Sequence, residues 1–256
     1  MIDKRKNDIF GIIENIMPVS KEEKTSKDVK KDVLEEMAEA GLHLGHKTSK
    51  VHPNMKPYIY GMRNYIHIID LEKTKEKLDE GLGFIKKTIA DGEKVLFVGT
   101  KVQLKNILKE AAKDCGSPYI AERWLGGTFT NFSTIKKRID YFKELKERKK
   151  KGELEKYTKK ERADFDKELK ELETKFGGLV DLEGLPKAIL VADTANNLSA
   201  VKEARKKGVK VVAITDTNTD PTLVDYPIPA NDDAISSVKY ILEQVKEAVL
   251  KSKPKK

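Results

Sequence analysis

Apolar residues in this chain recur in two alternating registers. Short unbroken runs suit strands buried on both faces, and between them come stretches with three-and-four spacing that suit helices with one buried face. The runs lie at 94–99, 188–193 and 211–215, with shorter strand-like stretches at 65–70 and 119–121. A helix is predicted at 27–40 from Val33, Leu34 and Met37, with Gly41 as its stop. A second spans 71–91, carrying Leu78, Leu82, Ile85 and Ile89 on one face. Leu104, Ile107, Leu108 and Ala111 mark a third, and 198–207 a fourth, ended by Gly208. The last covers 234–250, with Ile235, Val238, Leu242, Val245 and Val249 turned inward. Strands alternating with helices predict an α/β body built on a parallel sheet.

The alternation is interrupted once, at 133–177. There Ile135, Ile139, Phe142 and Leu145, then Phe165, Leu169, Leu172 and Phe176, form two narrow apolar seams with charge on every other face. That pattern predicts an antiparallel coiled-coil hairpin inserted into the body, its second helix started by a capping box of Thr158 and Glu161. About 19 residues per arm would reach roughly 30 Å. The expected division is a leader at 1–26, the body at 27–132 and 178–250, the hairpin at 133–177 and a basic tail at 251–256. Just before the insertion stands Arg123-Trp124-Leu125-Gly126-Gly127-Thr128-Phe129, which contains the only tryptophan. Trp124 and Phe129 are expected to anchor the base of the hairpin, while Gly126 and Gly127 let the backbone turn.

Charge changes the picture. A net charge of +9 points to a polyanionic partner. Between 133 and 177 there are 16 Lys/Arg against 11 Asp/Glu, an excess of 5, and the cations cluster. Lys136, Lys137 and Arg138 sit at the base, with Lys149, Lys150, Lys151, Lys159 and Lys160 toward the tip. A single cysteine, Cys115, excludes an internal disulfide framework and a cysteine zinc knuckle within one chain, and its helical spacing predicts a small buried hydrophobe. No run of 18 apolar residues occurs, so no membrane span is expected.

Candidate chemistry is sparse. His43, His46 and His52 match no zinc spacing. Asp216-x-Asn218-x-Asp220 imitates half a calcium loop, then fails at Pro221 and Pro227. No cofactor is required. A divalent ion held by His46, Asp216, Asp232 and Asp233 is the minority alternative to Asx turns and a helix cap at Asp232 or Asp233. Thr100 with Gln103 predicts a capping box after the 94–99 run, and no phosphate-loop spacing surrounds Gly99-Thr100-Lys101. An enzyme working at the strand ends near Gly99, Asp193 and Asp216 would lack both a phosphate loop and a nucleophile elbow.

The longer motifs carry a resemblance. Gly41…His43…Gly45-His46, Asn54-Met55-Lys56-Pro57, Gly61…Arg63-Asn64, Ile66-His67-Ile68-Ile69-Asp70-Leu71-Glu72-Lys73-Thr74 and Leu96-Phe97-Val98-Gly99-Thr100-Lys101 come first. Arg123-Trp124-Leu125-Gly126-Gly127, Gly184-Leu185-Pro186, Asp216-Thr217-Asn218, Asp220-Pro221 and Asn231-Asp232-Asp233-Ala234 follow. In this order, from about residue 31 to 249, they resemble the bacterial small-subunit ribosomal protein S-two family. The resemblance implies a flavodoxin-like three-layer α/β/α body with an inserted coiled-coil hairpin and no enzymatic activity. It also implies cytoplasmic, ribosome-bound work in translation, with small-subunit ribosomal RNA and neighbouring ribosomal proteins, including the mRNA-binding S-one, as partners. Neither DNA nor a membrane is expected. The residues then expected on RNA are Lys47, Lys50, Lys56, Arg63, Asn64 and Arg123, together with the clustered hairpin cations. Leu44, Tyr58 and Tyr60 are candidates for a protein partner or for packing. The leader is longer than the family pattern, and the tail is short.

Overall fold

The computed structural model describes residues 26–252, with side chains from residue 33 onward. Most of the expected leader, residues 1–25, and the end of the tail, 253–256, lie outside the described residues.

Five parallel strands form the central sheet: β4 (Val95–Val98), β5 (Tyr119–Ile120), β6 (Ala188–Val191), β7 (Lys210–Thr215) and β8 (Tyr226–Pro229). Their spatial order is β5-β4-β6-β7-β8. Counted within this sheet it is the 2-1-3-4-5 order of flavodoxin-like folds, which places the topological switch point between β4 and β6. The pleat divides the strand side chains between two cores. Val95, Phe97, Leu190, Val212 and Ile214 meet α2 (Leu71–Ala90), α3 (Lys105–Cys115) and α7 (Ile235–Ser252). Leu96, Val98, Ile189, Val191, Val211 and Ala213 face the other way, toward α6 (Leu198–Lys206) and the cluster around Trp124 and Phe129. Near-continuous apolar strands are the consequence of cover on both faces.

Local signals explain the helix ends. Asp70 accepts the backbone N–H groups of Glu72 and Lys73 at the start of α2. Within α2, a Cβ on Gly81 would stand 3.2 Å from Val212 Cγ1, so this glycine lets the helix approach the sheet closely. Buried Cys115 closes α3, and Gly116 follows at φ +59. The capping box predicted at Thr100 does not form. Lys101 is drawn to a cluster of aspartates, and the chain enters α3 through a 3-10 turn with no side-chain cap.

Three smaller elements at the N-terminal side precede this sheet. After α1 (Ser26–Glu39), strands β1 (Leu44–Lys47), β2 (Ile59–Arg63) and β3 (Ile66–Ile69) form an antiparallel sheet in the order β1-β3-β2. Asn64 at φ +51 and Tyr65 at φ +61 make the tight β2–β3 turn. This small sheet sits over the carboxyl ends of the main strands. His46 N donates to Thr217 Oγ1 at 2.8 Å, His52 N donates to Thr217 O at 2.8 Å, and Asn231 N donates to Leu42 O at 3.1 Å.

Two charged helices, α4 (Phe132–Lys150) and α5 (Lys159–Phe176), are joined by a short loop. Ile139, Phe142 and Leu145 of α4 are buried with Leu169, Leu172 and Phe176 of α5. Their seam is continuous with the second core of the sheet through Trp124 and Phe129. Both halves of the predicted capping box at Thr158 and Glu161 are present.

Candidate functional site

Two arrangements stand out: cations spread over the outside, and carboxylates gathered at the strand ends. Lys47 ends β1, Arg63 ends β2, and Lys50 and Lys56 lie in 3-10 turns between those strands. These four side chains are exposed, as are Asn64 and Arg123. On α4 and its following loop, Lys136, Lys137, Arg138, Lys149, Lys150 and Lys151 are exposed, and so are Lys159 and Lys160 at the start of α5. Lys149 Nζ bonds Asp166 Oδ1 across the helix pair at 2.6 Å, and Lys136 Nζ reaches Glu183 O at 3.2 Å. These residues form separate patches on the small sheet and along α4 and α5, with Arg123 apart from both, in a groove that Lys109, Lys113, Lys170 and Lys175 also line. Exposed cations stay largely in water until a phosphate replaces it, which suits backbone contact rather than catalysis.

The junction before α4 is built around a residue that the sequence did not single out. Trp124 and Phe129 are buried and meet edge-to-face at 5.0 Å between ring centres. Glu203 of α6 accepts from Trp124 Nε1 at 3.1 Å, Gly127 N at 2.8 Å, Phe129 N at 3.0 Å and Thr130 N at 3.1 Å. Burial raises the pKa of this carboxyl, but the surrounding N–H donors outweigh it and hold the net value below the ordinary carboxylate range. Gly127 takes φ +94 as its N–H turns toward Glu203, whereas Gly126 is exposed and has open space where a Cβ would stand.

At the carboxyl ends of β4, β6, β7 and β8 lie Lys101, Asp193, Asp216 and the pair Asp232 and Asp233. This is the crevice in which doubly wound folds place ligands. Asp193, Asp216 and Asp232 are fully buried, whereas Asp233 is exposed. Lys101 Nζ bonds Asp232 Oδ1 at 2.7 Å and Asp233 Oδ1 at 2.8 Å. His46 arrives from β1, its Nδ1 3.1 Å from Asp216 Oδ2 and its Nε2 3.5 Å from Asp233 Oδ2. The bond to Asp216 raises the pKa of His46. Burial, reinforced by the Asp216 charge, pushes Asp232 up to about 7, against the pull of Lys101. The bond from Lys101 lowers that of Asp233.

The connection into α7 is shaped by Asn231, through an Asx turn just before the helix. Asn231 Oδ1 accepts from Asp233 N at 2.9 Å and Ala234 N at 3.2 Å, leaving both aspartate carboxylates for the cluster. The half calcium loop does not assemble. Asp220 Oδ1 is committed to Asn54 Nδ2 and Thr222 N at 3.0 Å each, apart from Asp216. His43 is buried, which lowers its pKa, and His52 lies 4.0 Å from Asp220.

Fold and surface together define a doubly wound, flavodoxin-like α/β protein with a basic exterior and an acidic crevice at its strand ends. That architecture hosts many functions. Comparison with known proteins narrows it. The family described as Ribosomal protein S2 matches residues 37–252. The small ribosomal subunit protein uS2 of Dictyoglomus thermophilum is 47% identical over 221 residues, covering 86% of this chain and 90% of the relative. Its counterpart in Nitratiruptor sp. is 44% identical over 220 residues, covering 86% and 82%. That of Francisella tularensis subsp. novicida is 42% identical over 218 residues, covering 85% and 91%. This chain belongs to the ribosomal protein S2 family.

Proposed function

We propose that this protein is a structural, non-enzymatic constituent of the small ribosomal subunit, bound to small-subunit ribosomal RNA and working in translation on cytoplasmic ribosomes. The observation that carries the reading is the family match across 37–252, joined by relatives named small ribosomal subunit protein uS2. Physical support comes from the solvent-facing cations. Each phosphate neutralised by Lys or Arg releases condensed counterions, so spaced cations bind RNA strongly at low salt. RNA helices are met mostly through backbone and shape, which requires charge at the right spacing rather than base-reading aromatics. The contact residues in this reading are Lys47, Lys50, Lys56, Arg63, Asn64 and Arg123, with Lys136, Lys137, Arg138, Lys149, Lys150, Lys151, Lys159 and Lys160 along the helix pair. The pair acts as a stiff arm whose base is held by Trp124, Gly127 and Phe129, while Gly126 stands in open space beside them. Among the described residues no helix is long and apolar enough to cross a membrane.

Docking of the mRNA-binding protein S-one is the second half of the proposal. Leu44 and Tyr60 are exposed, at 42% and 54%, and offer apolar surface for a neighbouring protein. Sucrose-gradient sedimentation tests the whole. The tagged full-length protein should co-migrate with small subunits in low-salt lysate and leave them only at high salt; a ribosome-free pool at low salt overturns the assignment. Small subunits assembled without this protein should also be depleted of S-one. Full S-one occupancy would remove the docking role alone.

A further inference from the structure

The cluster over the ends of β7 and β8 is short of positive charge. Lys101 occupies one oxygen of Asp232 and one of Asp233, at 2.7 and 2.8 Å. The other oxygen of Asp232, Oδ2, is buried with no hydrogen-bond donor among the described residues, and its side chain is 1% exposed. That carboxylate is fixed inside the cluster, because Asp232 N also donates to Asp216 Oδ2 at 3.4 Å. Asn218 Oδ1 is a second buried acceptor without a donor, and its amide nitrogen lies 3.2 Å from His46 Nε2. Four carboxylates, those of Asp193, Asp216, Asp232 and Asp233, thus share one permanent cation, and two acceptor oxygens of the cluster go unsatisfied. Buried groups of this kind are costly unless a charge of opposite sign meets them.

We infer that His46, Asp216 and Asp233 bind a divalent metal ion of the zinc or manganese class, with the unpaired carboxylate of Asp232 beside it. One ligand atom from each of the three residues lies within 4.8 Å of the others. Ligand atoms about 2.0–2.2 Å from zinc sit roughly 3.3–3.6 Å apart in a tetrahedral shell, so the site closes with side-chain shifts of about 1 Å. Imidazole with carboxylates selects zinc or manganese over calcium and magnesium, which prefer all-oxygen shells. The ion enters past Asp233, whose side chain is 58% exposed. Its ligands come from β1, the end of β7 and the β8–α7 connection. Bound there, the ion staples the small sheet onto the main one.

The test uses the full-length protein stripped with EDTA, then titrated with zinc chloride and with manganese chloride by calorimetry, with thermal midpoints recorded alongside. One equivalent of at least one metal should bind and raise the midpoint, because an ion held by the folded state alone stabilises it. His46→Gln and Asp233→Asn should each weaken binding by about ten-fold or more. Should His46→Gln fail to fold, Asp233→Asn decides alone, since its side chain is mostly in solvent. Absence of saturable binding of either metal overturns the site. So does stoichiometric binding that survives the substitutions, because the ion would then lie elsewhere.

Discussion

Glu203 gathers donors from Trp124, Gly127, Phe129 and Thr130, and so one carboxylate fixes the whole turn that leads into α4. Hydrogen bonds to a charged acceptor are worth about 1.5–3 kcal/mol, and several converge here on one acceptor. Glu203→Gln should therefore destabilise the protein by about 2 kcal/mol at neutral pH, measured by urea denaturation. The sign of the pH effect follows from the lowered pKa of this group. Its stabilisation is complete above the unfolded value of about 4.3 and disappears as pH falls through the depressed folded value. Glu203→Gln should accordingly flatten the acid limb of the stability curve below about pH 5; an unchanged limb would contradict that role. Two glycines give a sharper contrast. A Cβ on Gly178 would stand 2.2 Å from Tyr119 O, a backbone atom that cannot step aside, whereas Gly126 has open space. Gly178→Ala should cost about 2 kcal/mol or more and Gly126→Ala about nothing, as thermal midpoints will report. Trp124 and Phe129 were legible beforehand because aromatics beside paired glycines advertise a packed turn. Glu203 was not, since a glutamate on an amphipathic helix looks the same whether solvated or bonded to a distant loop.

The α4–α5 pair separates stability from charge at the scale of an element. Its seam is buried: Ile139, Phe142 and Leu145 are 1–2% exposed. Phe142→Ala should cost about 3–5 kcal/mol by removing a ring from a core shared with the sheet. Lys149, Lys150 and Lys151 behave oppositely, being exposed at the end of α4. Cations there favour the helix C-terminus by only about 0.3–1 kcal/mol each, so replacing all three with alanine should leave the fold standing. The triple variant should bind small-subunit RNA more weakly, with the slope of log affinity against log salt shallower by about 2. An unchanged slope in filter binding would remove this patch from the RNA-contact set. Deleting 134–176 is a blunter test, because it also strips apolar side chains from the second core. The helices of this pair were legible from spacing alone. Strand β8 was not: Tyr226-Pro227-Ile228-Pro229 reads as a loop, yet an edge strand tolerates prolines whose missing N–H faces outward.

Across the whole molecule, charge is sorted by depth. Exposed Lys and Arg cover the small sheet and the helix pair, while Asp193, Asp216 and Asp232 are buried at the strand ends. An exterior of this kind predicts salt-sensitive retention on RNA: washing isolated small subunits from 50 to 200 mM salt should lower occupancy of the exposed-patch variants well before that of the unaltered protein. The sequence by itself determined the α/β alternation, the helix pair, the basic balance and the family, because periodicity, composition and ordered motifs are properties of neighbouring residues. Tertiary structure alone decided which strands pair and where the switch point falls. It also decided that Asn231 makes the Asx turn before α7 while Asp232 turns inward, and that His46 meets Asp216 and Asp233 across 170 and more residues of chain. The physical reason is range. Capping and amphipathicity act within a turn or two of backbone, whereas a buried charge cluster exists only once distant segments have excluded water together.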